Sequence, residues 1–216
     1  MIFDLFDTLV PFSSHQWDAL SAEMAGALAP TDPSSFIQEW LGWTDARMTG
    51  DLEAVLREVC ALAVPAASEA AIAAALQVNA ERHEEWLAAP RADARAVLAE
   101  LRRRGLRIGL ISNCSSSVPG SWPASPLGSL VDVTIFSSEE GLAKPDRRIY
   151  QVALDRLGLR AAECLYVDDS AQALAGAASL GLRAIQFLPE GVRDDQWPGA
   201  AVTSLTAVLE FVPVRG

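Results

Sequence analysis

At 216 residues the chain is long enough for one sizeable core, or for a core with a smaller inserted unit. Half of its residues are hydrophobic, which excludes a disordered chain, and a net charge of −11 opposes binding to a phosphate backbone. The one basic cluster, Arg102-Arg103-Arg104, falls at the end of an expected helix, where cations offset the macrodipole.

Residues Met1 to Val10 read as a short buried strand entering a turn. Apolar residues run into Asp4, the turn carries Asp7 and Thr8, and Leu9-Val10 resume the apolar pattern. Ser14 caps a helix expected over about 15–29, with Trp17, Leu20, Met24 and Leu28 on one face. Thr31-Asp32-Pro33 breaks that pattern and restarts it with Phe36, Ile37, Trp40 and Leu41. A third helix follows Gly50-Asp51 and carries Leu52, Val55, Leu56 and Val59. A fourth opens at Ser68, with Ile72, Leu76, Trp86 and Leu87. The Ala-rich composition favours helix, so residues 13–90 read as a helical bundle inserted after the first strand.

From Pro90 helices alternate with strands. A helix over Asp93–Arg104 stops at Gly105, and a strand over Leu106–Ile111 ends in Ser112-Asn113. Residues 114–128, rich in Ser, Pro and Gly, read as a loop before a strand at Val131–Phe136. Lys144-Pro145-Asp146 begins a helix to about Leu157, and a strand at Cys164–Val167 runs into Asp168-Asp169-Ser170. A helix to Leu180, ended by Gly181, leads to a strand at Arg183–Phe187. A turn after Pro189, a short strand near Ala201-Val202 and a helix to about Phe211 close the chain. Such alternation argues an α/β protein with a doubly wound parallel sheet, its core formed by residues 1–12 and 91–216.

In a parallel sheet the carboxyl ends of all strands share one edge. Four polar clusters fall there or at a helix start: Asp4 to Thr8, Ser112-Asn113, Lys144, and Asp168-Asp169. A carboxylate nucleophile, carboxylates for a divalent cation, and a lysine and hydroxyls for the remaining oxygens suit phosphoryl transfer. Each residue also has a plainer use: Thr8 as a turn cap, Lys144 as a surface residue before Pro145, Asp168 as the start of a helix.

These clusters resemble the ordered motifs of the haloacid dehalogenase-like hydrolase superfamily. Phe3-Asp4-Leu-Phe-Asp-Thr8-Leu-Val10 resembles the first motif, Leu110-Ile-Ser112-Asn113 the second, Gly141-Leu-Ala-Lys144-Pro145 through Tyr150 the third, and Tyr166-Val-Asp168-Asp169-Ser170 the fourth. The resemblance implies a Rossmann-like core with a small all-helical cap at residues 13–90 that closes over the site. It implies Asp4 as nucleophile, Thr8 and Ser112 holding the transferring group, Lys144 balancing charge and Asn113 orienting the loop. Mg2+ would be held by Asp4, Asp168, Asp169 and the backbone carbonyl of Phe6. The expected substrate is a small phosphorylated molecule.

The pattern breaks at Phe6, where phosphatases of this superfamily usually carry an aspartate as general acid and base. A phenyl ring cannot protonate a leaving alkoxide. Asp7, one residue on, is a candidate substitute. An aromatic also stands here in the family's metal-free 2-haloacid dehalogenases, whose halide leaves without a proton; those enzymes use a cap arginine for the substrate carboxylate, and Arg47 is a candidate by type, with a surface role as its plainer use. Two further acids at Asp168-Asp169 favour a cation and phosphate instead. A weakly active or non-catalytic binding protein stays open, supported by Phe6 and by apolar Ala173 and Leu174. His15, Trp17, Trp43 and Arg47 are candidate specificity residues, whereas His83, set among charges, reads as solvated.

Cys60, Cys114 and Cys164 lack metal-ligand spacing and read as thiols in a reducing compartment. Neither a membrane span nor a signal peptide is legible, so a cytoplasmic protein is expected.

Overall fold

A computed structural model describes residues 1–189 and 196–212. Six strands, β1 (Ile2–Phe3), β2 (Gly109–Ser112), β3 (Val133–Phe136), β4 (Leu165–Asp168), β5 (Arg183–Phe187) and β6 (Ala200–Val202), form one parallel sheet in the order β3-β2-β1-β4-β5-β6. The chain winds outward from β1 to β3, then returns to the other side of β1. The order therefore reverses between β1 and β4, where open α/β sheets place their ligands.

Alternate residues along the strands feed two cores. Phe3, Leu110 and Val167 face one, with Val97, Leu98 and Leu101; Ile2, Ile111 and Tyr166 face the other, with Ile149, Ala153 and Leu174. Both faces are thus covered, which explains why these strands read as continuous apolar runs. The doubly wound α/β reading holds.

The first five helices after β1 are α1 (Ser14–Leu28), α2 (Pro33–Gly42), α3 (Thr44–Thr49), α4 (Leu52–Ala63) and α5 (Glu69–Ala88). Their apolar stripes meet in a separate cluster of Leu20, Met24, Phe36, Trp40, Leu56 and Ala75. Asp32, Asp51 and Ser68 cap α2, α4 and α5 through backbone N–H groups of Ser34, Ala54 and Ala71. α1 lacks such a cap and begins at Ser14 itself. The remaining helices are α6 (Ala94–Arg103), α7 (Ser117–Ser121), α8 (Ser137–Glu140), α9 (Arg147–Leu157) and α10 (Ala171–Ala178). No described helix is long and apolar enough to cross a membrane.

Three expectations need correction. β2 begins at Gly109 rather than Leu106, because the Ile108 amide donates to the Asp132 carboxylate at 2.7 Å and the chain joins the ladder only afterwards. The stretch 114–128 is not a plain loop: it forms α7 and two 3₁₀ turns that bury Val118, Trp122 and Leu127. The closing helix is a 3₁₀ segment over Leu205–Phe211. The turn expected after Pro189 lies in residues 190–195, outside the described residues.

Candidate active site

Register sets the centre of the site. Phe3 pairs with Leu110 on β2 and with Val167 on β4, so the next residue, Asp4, emerges level with Asp168. The Asp4 amide is still tied to the Val167 carbonyl at 2.9 Å, and its side chain is buried. The chain then turns sharply. Leu9 and Val10 amides both return to the Leu5 carbonyl, and Asp7 adopts a left-handed conformation at φ +62°. For a residue with a Cβ that conformation costs of order 1 kcal/mol or more and persists only where neighbours enforce it.

Lys144 bridges two carboxylates: its Nζ lies 2.6 Å from Asp4 Oδ1 and 2.7 Å from Asp168 Oδ2. The lysine is delivered by a loop that Asn113 holds from both sides. Asn113 Nδ2 donates to the Lys144 carbonyl at 2.9 Å, and the Lys144 amide donates to Asn113 Oδ1 at 2.8 Å. Gly176 on α10 lets that loop approach, since a Cβ there would stand 2.6 Å from the Pro145 carbonyl oxygen. Tyr150 on α9 is buried and donates to the Ala173 carbonyl at 2.7 Å, so its hydroxyl ties α9 to α10 rather than facing the site.

Both oxygens of Asp168 are engaged. Besides Lys144 the carboxylate accepts from the Tyr166 hydroxyl and, through Oδ1, from the Ser170 amide at 2.8 Å. Asp169 is half-buried, and one oxygen each of Asp4, Asp168 and Asp169 fall within 4.8 Å of one another. The hydroxyls of Thr8 and Ser112 are buried and have no hydrogen-bond partner among the described residues. Buried donors without partners are rare in folded proteins.

Charge in this cluster is unbalanced. Burial holds the Lys144 ammonium back, but Asp168 and Asp4 more than offset that and raise its pKa, so it stays charged. Burial, opposed by Lys144 and reinforced by Asp168 and Asp169, pushes the Asp4 carboxyl well above the usual range. Burial and then Asp168 push Asp169 up to about 6. Three carboxylates share one ammonium, which leaves room for a further cation. Hard oxygen donors of this kind fit Mg2+.

The cavity over this cluster measures about 240 Å³ and is lined by Asp4, Phe6, Asn113, Lys144, Asp169 and Ala173 among others. The Phe6 ring leans toward the helices, with centroids 5.3 Å from Phe12, 6.1 Å from His83 and 6.4 Å from Trp86.

Two surface assignments fail. His83 is buried, not solvated: one helical face carries it inward to Phe6 and Trp86, its Nδ1 lies 2.7 Å from the Asn79 carbonyl oxygen, and burial lowers its pKa to about 4. Arg47 is also buried, sandwiched between Trp17 at 4.6 Å and Trp40 at 4.2 Å, with Nη2 donating to Thr44 Oγ1. Its Nε and Nη1 have no partner among the described residues. Asp7 pairs with Arg91 at 3.2 Å and lines, with Phe12, Phe187 and Asp169, a cleft beside the turn. Of the other specificity candidates, Trp17 and Trp43 are half-buried and His15 is exposed. Arg91 and Tyr166 were not legible as site residues, although Tyr166 stands two residues before Asp168 on one strand and hence on the same face.

Residues 1–181, most of the chain, match the haloacid dehalogenase-like hydrolase family. The chain belongs to that family. A phosphatase of Mycobacterium tuberculosis is 43% identical over 94 residues, covering 43% of each chain. The (S)-2-haloacid dehalogenase 4A of Burkholderia cepacia is 31% identical over 100 residues, covering 46% of this chain and 43% of its own. This member of the family thus spans less than half the length of these curated relatives. Among solved structures, a family phosphatase from Thermococcus onnurineus aligns with a TM-score of 0.77 at 18% identity, over 99% of this chain and 97% of its own. A 2-haloacid dehalogenase from Pseudomonas syringae aligns at 0.72 and 23% identity, over 97% and 95%. These likenesses fix the fold and leave the chemistry to the site.

Proposed function

We propose that this family member is a Mg2+-dependent phosphatase of small phosphorylated molecules, working through an aspartyl-phosphate on Asp4. The observation that carries the proposal is the cluster of Asp4, Asp168 and Asp169 around a single Lys144. Asp4 and Asp169, with the Phe6 carbonyl, would hold the ion. Asp168, with its oxygens already engaged by Lys144, Tyr166 and Ser170, belongs mainly to the lysine. When bound, Mg2+ neutralises phosphate oxygens.

The Asp4 carboxylate attacks phosphorus as the bond to the leaving oxygen breaks, and water then hydrolyses the acyl phosphate. Lys144 stabilises the charge passing between nucleophile and substrate, and the Thr8 and Ser112 hydroxyls donate to the transferring oxygens. No side chain at Phe6 delivers a proton to the leaving group or takes one from water. Helices α1 to α5 act as a cap. In that cap Arg47, a buried cation without an anion among the described residues, takes a second anionic group of the substrate. Buried free thiols at Cys60, Cys114 and Cys164 support a reducing, cytoplasmic setting.

The test is phosphate release from aryl and alkyl phosphates, with and without Mg2+, beside Asp4→Asn. Mg2+-dependent release that the variant lacks is expected; absence of release from every ester overturns the proposal. Displacement of halide from a 2-haloacid is the second reading, favoured by Phe6 and Arg47, and halide release in the same preparation decides for it.

A further inference from the structure

Where the chain returns from the helices to the sheet, Arg91 reaches across to the loop that follows Asp4. Its Nε donates to the Thr8 carbonyl at 2.9 Å. Its Nη2 donates to the Asp7 carbonyl at 2.9 Å and to Asp7 Oδ1 at 3.2 Å. Its own amide donates to the Leu9 carbonyl at 2.9 Å, and its guanidinium lies 4.9 Å from the Phe187 ring centroid. One residue thus ties down Asp7, Thr8 and Leu9.

Three features make this more than a surface contact. The carbonyls it gathers flank the left-handed Asp7, whose conformation needs enforcement from outside the turn. A cleft of about 480 Å³, lined by Asp7, Phe12, Arg91, Asp169 and Phe187 among others, opens beside the turn, so close packing does not hold that side of it. The bonds also go to main-chain oxygens, which the rigid, planar donor array of Arg gathers in a fixed geometry that the single flexible ammonium of Lys does not reproduce. We infer that Arg91 is a positioning residue that holds the Asp7–Thr8 turn, and through it the Thr8 hydroxyl and the Asp4 nucleophile, in working geometry. Its place on the connection also couples that geometry to the seating of the helical unit.

This inference rests on the proposed phosphatase chemistry for its kinetic readout only. Arg91→Met and Arg91→Lys are compared with the full chain in Mg2+-dependent phosphate release. Displacing a reacting group by about 1 Å costs up to ~10²-fold in rate, so kcat is expected to fall about 10- to 100-fold with KM held within about threefold. Lys should not rescue it. Glycine adopts the left-handed conformation without penalty, so in an Asp7→Gly background the loss caused by Arg91→Met should shrink severalfold. Hydrogen exchange at the Asp7 and Val10 amides should quicken in Arg91→Met whether or not the protein turns over phosphate. Unchanged kcat in a folded Arg91→Met variant overturns the inference, as does equal loss in both backgrounds. Should the wild type prove inactive, the phosphatase proposal falls, and unchanged exchange at those amides would then remove the inference separately.

Discussion

Replacing Phe6 with aspartate tests the chemistry most directly, because it adds the acid–base group that the proposed reaction is without. A positioned acid–base contributes ~10²–10⁴-fold, and the gain should be large for alkyl phosphates, whose alkoxide needs a proton. It should be slight for nitrophenyl phosphate, whose leaving group departs without one. The change has a structural cost. Phe6 makes three aromatic contacts, with Phe12, His83 and Trp86, each worth ~0.5–1.5 kcal/mol beyond burial. A loss of about 2–4 kcal/mol follows, within the ~5–15 kcal/mol by which domains of this kind are stable. The variant should therefore fold at 25 °C with a lowered Tm. The assay is phosphate release from paired alkyl and aryl esters, read as a ratio so that a partly unfolded sample cancels. A folded variant whose ratio is that of the wild type refutes the claim that Phe6 limits turnover by withholding a proton.

Other outcomes follow from the same geometry. Lys144→Met leaves Asp4 and Asp168 without their counter-ion; breaking a buried pair costs ~3–5 kcal/mol, so a fall in urea midpoint and loss of phosphate release are expected, and an unchanged midpoint would contradict the pairing. Burial and Asp168 push the Asp169 carboxyl up to about 6 in the folded protein against about 4 in the unfolded chain, so the folded state binds the extra proton between these values. Stability of the metal-free protein should accordingly drop by roughly 3 kcal/mol as pH rises from about 4 through 6, and Mg2+ should restore it above pH 6; a chelator-independent urea midpoint counts against the metal site. Arg47→Met removes a buried cation whose two ring contacts, ~0.5–2 kcal/mol each, offset its burial only in part, so the variant should lose less than about 1 kcal/mol while KM for substrates with a second anionic group rises at least about tenfold. Severe destabilisation instead would assign Arg47 to packing.

The sheet and the centre of the site were legible for the same reason. Parallel strands buried on both faces appear as apolar runs, and the residue leaving each run must lie on the shared edge. Asp4, Ser112 and Asp168 were found from that rule alone, and the structure adds the register that sets Asp4 beside Asp168. The charge partnership within the pair of acids was not legible, because it depends on Tyr166 and on where the Lys144 loop is pinned by Asn113. Boundaries drifted where a side chain replaced a ladder bond, as Asp132 does at Ile108.

Helices α1 to α5 defeated residue-level reading for a physical reason. On a helix, a charged or imidazole side chain among acids has the local signature of a solvated face, and only packing against other elements reveals otherwise. His83 sits between Arg82 and Glu84, yet its ring meets Phe6 and Trp86, while Arg82 turns to Glu23 and Glu85. Arg47 lies two residues after Asp45 but is enclosed by Trp17 and Trp40 from two other helices. Its two nitrogens without a partner among the described residues set it apart from Arg57, Arg103 and Arg104, which find carboxylates within 3 Å at Glu53, Glu69 and Glu100. An evolved core tolerates an unpaired buried cation when a ligand supplies the anion. That is why Arg47, and not the tryptophans around it, carries the expectation of a substrate with two anionic ends.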